Sequence, residues 1–115
     1  MTKTEIAIAF SNGEFNKTSN FIGDEAVWEV VNEDIFKGKN SIIENCNRVA
    51  QYFQSVTTDF EILNIISEDN KVVVNGTAEF FRDGKQVSFV SACDLYEFND
   101  RNQIQKITSY CIQAK

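Results

Sequence analysis

The chain has 115 residues, 43% of them hydrophobic, with ten Phe, no Pro and no His, and its formal net charge is −6. This length fits a single domain over 1–115 with a sizeable core, and the acidic balance argues against nucleic acid or an anionic membrane as partner, because both require clustered Lys and Arg. The absence of His excludes Ser/His and Cys/His nucleophiles, a His general base and the usual His-containing zinc sites.

Two capping boxes predict two helices in the first half of the chain. The motif Thr2-x-x-Glu5 precedes an apolar stripe at helical spacing, and this helix is expected to stop at Asn12-Gly13. The motif Ser41-x-x-Glu44 precedes a second apolar stripe that continues to Phe53. A shorter helical piece is predicted over 16–22. Each helix needs an apolar surface to pack on.

The strand signals are concentrated after the first helices. β-Branched and aromatic residues predict a strand at 26–31, entered through a break at Gly23-Asp24. From residue 57 onward the apolar period changes to two, which predicts four strands at about 57–67, 71–82, 86–98 and 103–113. The connecting turns are short, so consecutive strands must be antiparallel. Helices and one strand followed by a four-stranded meander define an α+β fold.

The strand at 71–82 has two different faces. One face is predicted to pack on the helices, and its members are Val72, Val74, Gly76, Ala78 and Phe80. The opposite face mixes apolar and polar side chains, as surfaces that contact a partner do. We therefore expect a homodimer formed through the outer face of the sheet.

Asp94 is the principal candidate site residue. It lies in a strand of aromatic and small apolar residues, and no basic residue occurs between Lys85 and Arg101. A carboxylate in such surroundings must find hydrogen-bond donors, keep its proton or face a cavity. Asp94 is therefore an acid or hydrogen-bond anchor for a ligand, or else an aspartate satisfied by backbone N–H groups or a Tyr hydroxyl without any ligand.

Several segments carry a resemblance to a known family. Nearly the whole chain resembles the nuclear transport factor 2-like superfamily, and SnoaL-like proteins within it. The resemblance implies a cone in which a curved antiparallel sheet wraps around the N-terminal helices, as in cystatin-like folds, and encloses a pocket. It also implies a dimer. The segments that carry it are Phe10–Phe15, Gly23–Trp28, Gly38–Ile42, Asp94–Phe98 and Ile104–Ile107.

The resemblance also guides the expected chemistry. In the ketosteroid isomerase branch, an acid at the position of Asp94 donates a hydrogen bond to a developing oxyanion. That enzyme's general base falls on Val30 and its oxyanion tyrosine on Ile6, so ketosteroid isomerisation is not expected. The Arg-x-Asp strand pair of the epoxide hydrolase type is also missing. SnoaL-like cyclases use a pocket acid to remove a proton next to a carbonyl group, and Asp94 is the candidate catalytic residue for such a step.

The predicted function is therefore binding of a small apolar or carbonyl-bearing ligand, with isomerase- or cyclase-type proton transfer on a polyketide-like or steroid-like compound. The alternative is a non-catalytic dimerising module with a closed pocket. Strand alternation places Tyr96 beside Asp94 and puts Trp28 and Asn32 on one face of the first strand. The expected apolar lining consists of Phe10, Phe53 and Phe80, for which core packing is the alternative role.

The remaining polar residues suggest no metal and no cofactor. Acidic pairs such as Glu33-Asp34 have the spacing of turn charges and do not gather four oxygens. Cys46, Cys93 and Cys111 are odd in number and lack a CxxC spacing, which predicts buried reduced thiols. Without a signal-peptide pattern or an apolar run near ~18 residues, the expected location is the cytoplasm. The directions of Ser109 and Tyr110 are left open because the last strand has uneven apolar spacing.

Overall fold

The computed structural model describes residues 1–114, which fold as helices packed against one curved sheet. The helices are α1 (Lys3–Ser11), α2 (Phe15–Thr18) and α3 (Lys39–Gln54), and a 3-10 turn at Ser19–Phe21 follows α2. The strands are β1 (Ile22–Val30), β2 (Asp34–Lys37), β3 (Thr57–Glu68), β4 (Lys71–Arg82), β5 (Lys85–Phe98) and β6 (Ile104–Gln113).

The six strands form one sheet in the order β2-β1-β6-β5-β4-β3. All neighbouring pairs are antiparallel except β1 and β6, which run parallel. The predicted α+β class and the antiparallel meander of the last four strands are confirmed. The short strand β2, which forms a hairpin with β1 through the turn at 31–33, was not predicted. The pairing of β1 with β6 was not predicted either, because it joins distant parts of the chain.

The first predicted helix start is confirmed and the second is wrong. The Thr2 hydroxyl accepts from the Glu5 N–H at 3.1 Å, and the Glu5 carboxylate accepts from the Thr2 N–H at 2.8 Å. Helix α3 instead begins at Lys39 after Gly38, whose φ is 89°. The Gly38 N–H donates to the Ala26 carbonyl at 2.7 Å, so the link to β1 fixes the helix start before Ser41.

The core lies between the helices and the inner face of the sheet. Val72, Val74, Ala78 and Phe80 are buried there, as the alternation in β4 predicted. The predicted break at Gly23-Asp24 is wrong, because both residues lie inside β1. The register of β1 against β6 shifts between residues 22 and 27. The strand therefore continues past this irregularity in its pairing and does not end there.

Two further structural findings concern membranes and thiols. None of the helices within the described residues is long and apolar enough to cross a membrane. The three cysteines are free, and Cys46 is buried, Cys93 half-buried and Cys111 exposed. The prediction of buried thiols is therefore wrong for Cys111, because the part of β6 that carries it borders an open cavity.

Candidate functional site

A cavity of about 720 Å³ opens between the inner face of the sheet and the helices. This volume lies within the range of roughly 300–1,000 Å³ that small-molecule sites occupy. Most of the wall is apolar, and its aromatic members are Phe10, Phe15, Trp28, Phe36, Tyr52, Phe53, Phe60, Phe80 and Tyr96. These residues leave the cavity open. They do not form the closed pocket filled by Phe side chains that the alternative prediction required.

Asp94 lies on the cavity wall in the middle of β5. Its neighbours across the sheet are Val74 in β4 and Ser109 in β6, and Val30 in β1 lies beside Ser109. These four residues form one row across the inner face. Ser109 therefore points inward, while the next residue, Tyr110, points outward and is 49% exposed.

A first chain of hydrogen bonds reaches Asp94 from helix α1. The Ser11 hydroxyl donates to Asp94 Oδ2 at 2.9 Å, and the Tyr96 hydroxyl lies 2.6 Å from Ser11 Oγ. Tyr96 is completely buried, and among the described residues its hydroxyl contacts no hydrogen-bonding atom other than Ser11 Oγ. A buried phenol must use its hydrogen, so Tyr96 donates to Ser11, which in turn donates to Asp94.

A second chain reaches Asp94 from strand β1. The Trp28 indole Nε1–H donates to Ser109 Oγ at 2.9 Å. An indole N–H can only donate, so the hydrogen of the Ser109 hydroxyl stays available for the Asp94 carboxylate across the strand pair. Ser11 therefore relays a hydrogen bond from a buried aromatic side chain to the carboxylate, and Ser109, bound to Trp28, lies across the strand pair from Asp94 and lowers its pKa.

The electrostatics of Asp94 follow from this arrangement. Removal from water raises the pKa of Asp94, and the hydrogen bonds from Ser109 and Ser11 offset part of that rise. Burial also raises the pKa of Tyr96 well above its ordinary value, and the charge of Asp94 adds to the effect, so Tyr96 remains a protonated donor. Neither ion pair within residues 1–114 involves Asp94, and no Lys or Arg in that range lines the cavity.

The structure brings together five of the six predicted ligand-contact residues. Trp28, Tyr96, Phe10, Phe53 and Phe80 all line the cavity together with Asp94. Their predicted contacts with a ligand stay predictions.

The placement predicted for Asn32 is wrong. Strand β1 ends at Val30, and Asn32 lies exposed in the following turn with a φ of 66°. The turn takes its side chain out of the alternation of the strand, so it does not share the inward face with Trp28.

Ser11 and Ser109 are the polar site residues that sequence reasoning missed. Ser11 is the last residue of α1 and lies 83 positions from Asp94 along the chain. Its only local signal was its position directly after Phe10, at the end of the apolar stripe of α1. Ser109 would have been recognised as inward-facing if the register shift between β5 and β6 near Phe98 had been known.

The fold and the site together define a class of protein: an α+β cone with a ligand-sized cavity and one polar anchor on its wall. The sequence profile of the SnoaL-like domain family matches residues 5–108, and the chain belongs to this family. No functionally curated protein sequence matches it.

Solved structures agree with this assignment. An NTF2-like protein of unknown function from Cytophaga hutchinsonii is 33% identical, with 94% of each chain covered and a TM-score of 0.84. A SnoaL-like protein from Shewanella putrefaciens, provisionally assigned as a polyketide cyclase, is 16% identical over 95% of this chain and 88% of its own, with a TM-score of 0.72. An LEH-like epoxide hydrolase from M. tuberculosis is 18% identical over 96% and 82%, also with a TM-score of 0.72. The last two show the shared fold alone.

Proposed function

We propose that this protein binds a ring-bearing carbonyl compound of polyketide-like or steroid-like shape, and that Asp94 removes a proton from a carbon next to the carbonyl. The observation that carries the proposal is that a hydrogen-bond chain from Tyr96 through Ser11 ends on the Asp94 carboxylate, with the Trp28-bound Ser109 directly across the strand pair. Hydroxyl donors favour the ionised form of Asp94, while its removal from water makes it a stronger base than an exposed aspartate. Asp94 is then poised to accept a proton.

The proposed step needs one carboxylate and no second base. The C–H bond breaks, the proton moves to Asp94, and the electron pair moves to the carbonyl oxygen as an enolate. Val30 and Ile6 carry no proton-transferring group, and Ile6 is completely buried in the core. Asn45 on α3 lines the same cavity, and its amide is the proposed donor to the enolate oxygen.

The direction of the hydrogen bonds favours an acceptor over a donor at Asp94. A protonated acid that donates to an oxyanion, as in ketosteroid isomerase, needs surroundings that disfavour its charge. Here Ser11 donates its hydrogen to the carboxylate, and Ser109 lowers the pKa of the same group. This supports base catalysis of the kind that SnoaL-like cyclases use.

Deuterium exchange of β-tetralone in D2O tests the proposal. We expect the wild-type protein to accelerate loss of the proton next to the carbonyl, measured by NMR, and Asp94→Asn to abolish the acceleration. Asp59→Asn is the matched control, because Asp59 is exposed on β3 and does not line the cavity. Equal exchange by wild type and Asp94→Asn would show that Asp94 is not the base.

We also propose that the protein forms a homodimer through the outer face of the sheet. Ile66, Tyr110 and Ile112 are exposed there, with Ile112 70% exposed. Association would remove these side chains from water. Sedimentation equilibrium tests this proposal: we expect a dimer for the wild type and a monomer for Ile112→Lys. A wild-type chain that stays monomeric at high concentration would exclude it.

The proposed location is the cytoplasm. The three cysteines are all free, and two of them are at least half-buried without forming a disulfide. Reducing compartments keep thiols in this state.

A further inference from the structure

We infer that the cavity selects its ligand by charge and takes a ring compound that carries a protonated amine. The inference rests on the proposed binding of a ring compound at Asp94 and adds the charge of the ligand, whose ammonium group pairs with the carboxylate when Asp94 is not acting as the base. It follows from the charged groups on the wall, from the unused acceptor positions of Asp94 and from the aromatic rings beside it.

The charged side chains on the cavity wall all have the same sign. Asp94 lies deep on the sheet, and Glu33 and Asp34 lie at the turn between β1 and β2. The cavity-lining residues of the described chain include no Lys or Arg. An anionic ligand would bring a like charge into partly desolvated surroundings, whereas a cation would supply the charge partner that Asp94 lacks.

Asp94 has acceptor positions left for such a cation. An ionised carboxylate offers about four lone-pair positions. Ser11 occupies one on Oδ2, and Ser109 lies across the strand pair and favours the charged form of the same group. Because the Ser11 hydrogen is already used, Ser11 cannot donate to a ligand. A ligand that engages this anchor must bring its own N–H or O–H donor, and an ammonium group brings three.

The aromatic side chains near Asp94 suit an ammonium group. Phe10 packs edge-to-face against Trp28 at 5.1 Å between ring centroids, and both rings line the cavity. Aromatic faces attract cations, most strongly where water is excluded. One ring of the wall, Phe36, already has a cation over its face, because the Arg48 guanidinium carbon lies 6.0 Å from the ring centroid.

Three fluorescent probes with one ring system and different charges test the inference. Aminomethylanthracene is a cation at neutral pH, hydroxymethylanthracene is uncharged, and anthracene carboxylate is an anion. Binding to the wild-type protein is measured by fluorescence anisotropy. We expect the amine to bind about tenfold more tightly than the alcohol, since hydrogen bonds between charged partners are the stronger kind, and the carboxylate to bind most weakly.

The Asp94→Asn variant separates the charge preference from binding by the rings. In this variant we expect the affinity for the amine to fall to that for the alcohol, while Asp59→Asn keeps the wild-type order. If the wild type binds the alcohol or the carboxylate as tightly as the amine, the charge inference is overturned while the ligand cavity stands. If the wild type binds none of the three probes, both the inference and the proposed ligand-binding function are overturned.

Discussion

Replacing Ser11 with Ala removes the hydroxyl that joins Tyr96 to Asp94. The hydrogen bond to the carboxylate is 2.9 Å long, and bonds of this charged kind contribute about 1.5–3 kcal/mol. The Tyr96 hydroxyl also loses its acceptor in a completely buried position, which costs about 1–3 kcal/mol. Ala is a good helix former, so the end of α1 itself loses nothing. Because the two effects overlap, we expect Ser11→Ala to lower the free energy of unfolding by about 2–4 kcal/mol.

Urea denaturation at neutral pH measures this loss, and a double-mutant cycle with Tyr96→Phe identifies its cause. Removing the Tyr96 hydroxyl removes the group that Ser11→Ala leaves without a partner. The double variant should therefore lose at least about 1 kcal/mol less than the sum of the two single variants. Ser91→Ala is the matched control, because Ser91 is exposed on the same strand as Asp94 and should change stability by less than about 0.5 kcal/mol. Strict additivity of Ser11→Ala and Tyr96→Phe would refute the hydrogen-bond chain.

Three further predictions concern stability and the cavity. Folding raises the pKa of Asp94, so its contribution to stability is most favourable below the unfolded-state pKa and declines as pH rises through the folded-state pKa. Asp94→Asn should therefore become more stable relative to the wild type as pH rises, as measured by urea denaturation. A stability difference between the two proteins that stays the same at all pH values would contradict this. Gly13→Ala should lower the free energy of unfolding by about 1–2 kcal/mol in thermal denaturation, because φ is +79° and the added Cβ would lie 2.5 Å from Phe53 Cε2; an unchanged melting temperature would contradict it. Ala92→Phe should fill the cavity floor beside Gly76 and abolish binding of hydroxymethylanthracene by a folded protein, and undiminished binding would place the ligand elsewhere.

The parts of the fold that sequence predicted well depend on local signals. The period of two and the turn residues place the last four strands within a few residues, and the alternation in β4 identifies its buried face. The capping box at Thr2 is likewise a contact between near neighbours. Ser41 carries the same motif, but the contact of Gly38 with Ala26 moves the helix start, and nothing in the motif encodes that distant contact.

In the candidate site, too, residues with a local signal were predicted, and residues that depend on distant contacts were not. Asp94 is conspicuous in the sequence because its neighbours are mostly aromatic or small apolar residues and no basic residue occurs between Lys85 and Arg101. Its partners depend on the tertiary arrangement, since Ser11 comes from a helix and Ser109 from a strand whose register shifts before it reaches Asp94. The prediction for Asn32 fails for a local reason, because the strand pattern does not reveal that the chain turns directly after Val30.

Asp94 is a desolvated carboxylate, and we propose that it anchors a ligand in the cavity. The most direct measurement is an NMR pH titration of the Asp94 side-chain carboxyl carbon, with and without aminomethylanthracene, and with Asp94→Asn to assign the signal. We expect a pKa above the ordinary value for aspartate in the free protein, because burial outweighs the effects of Ser109 and Ser11, and a lower pKa once the cation is bound. An ordinary or depressed pKa in the free protein, unchanged by the probe, would contradict it.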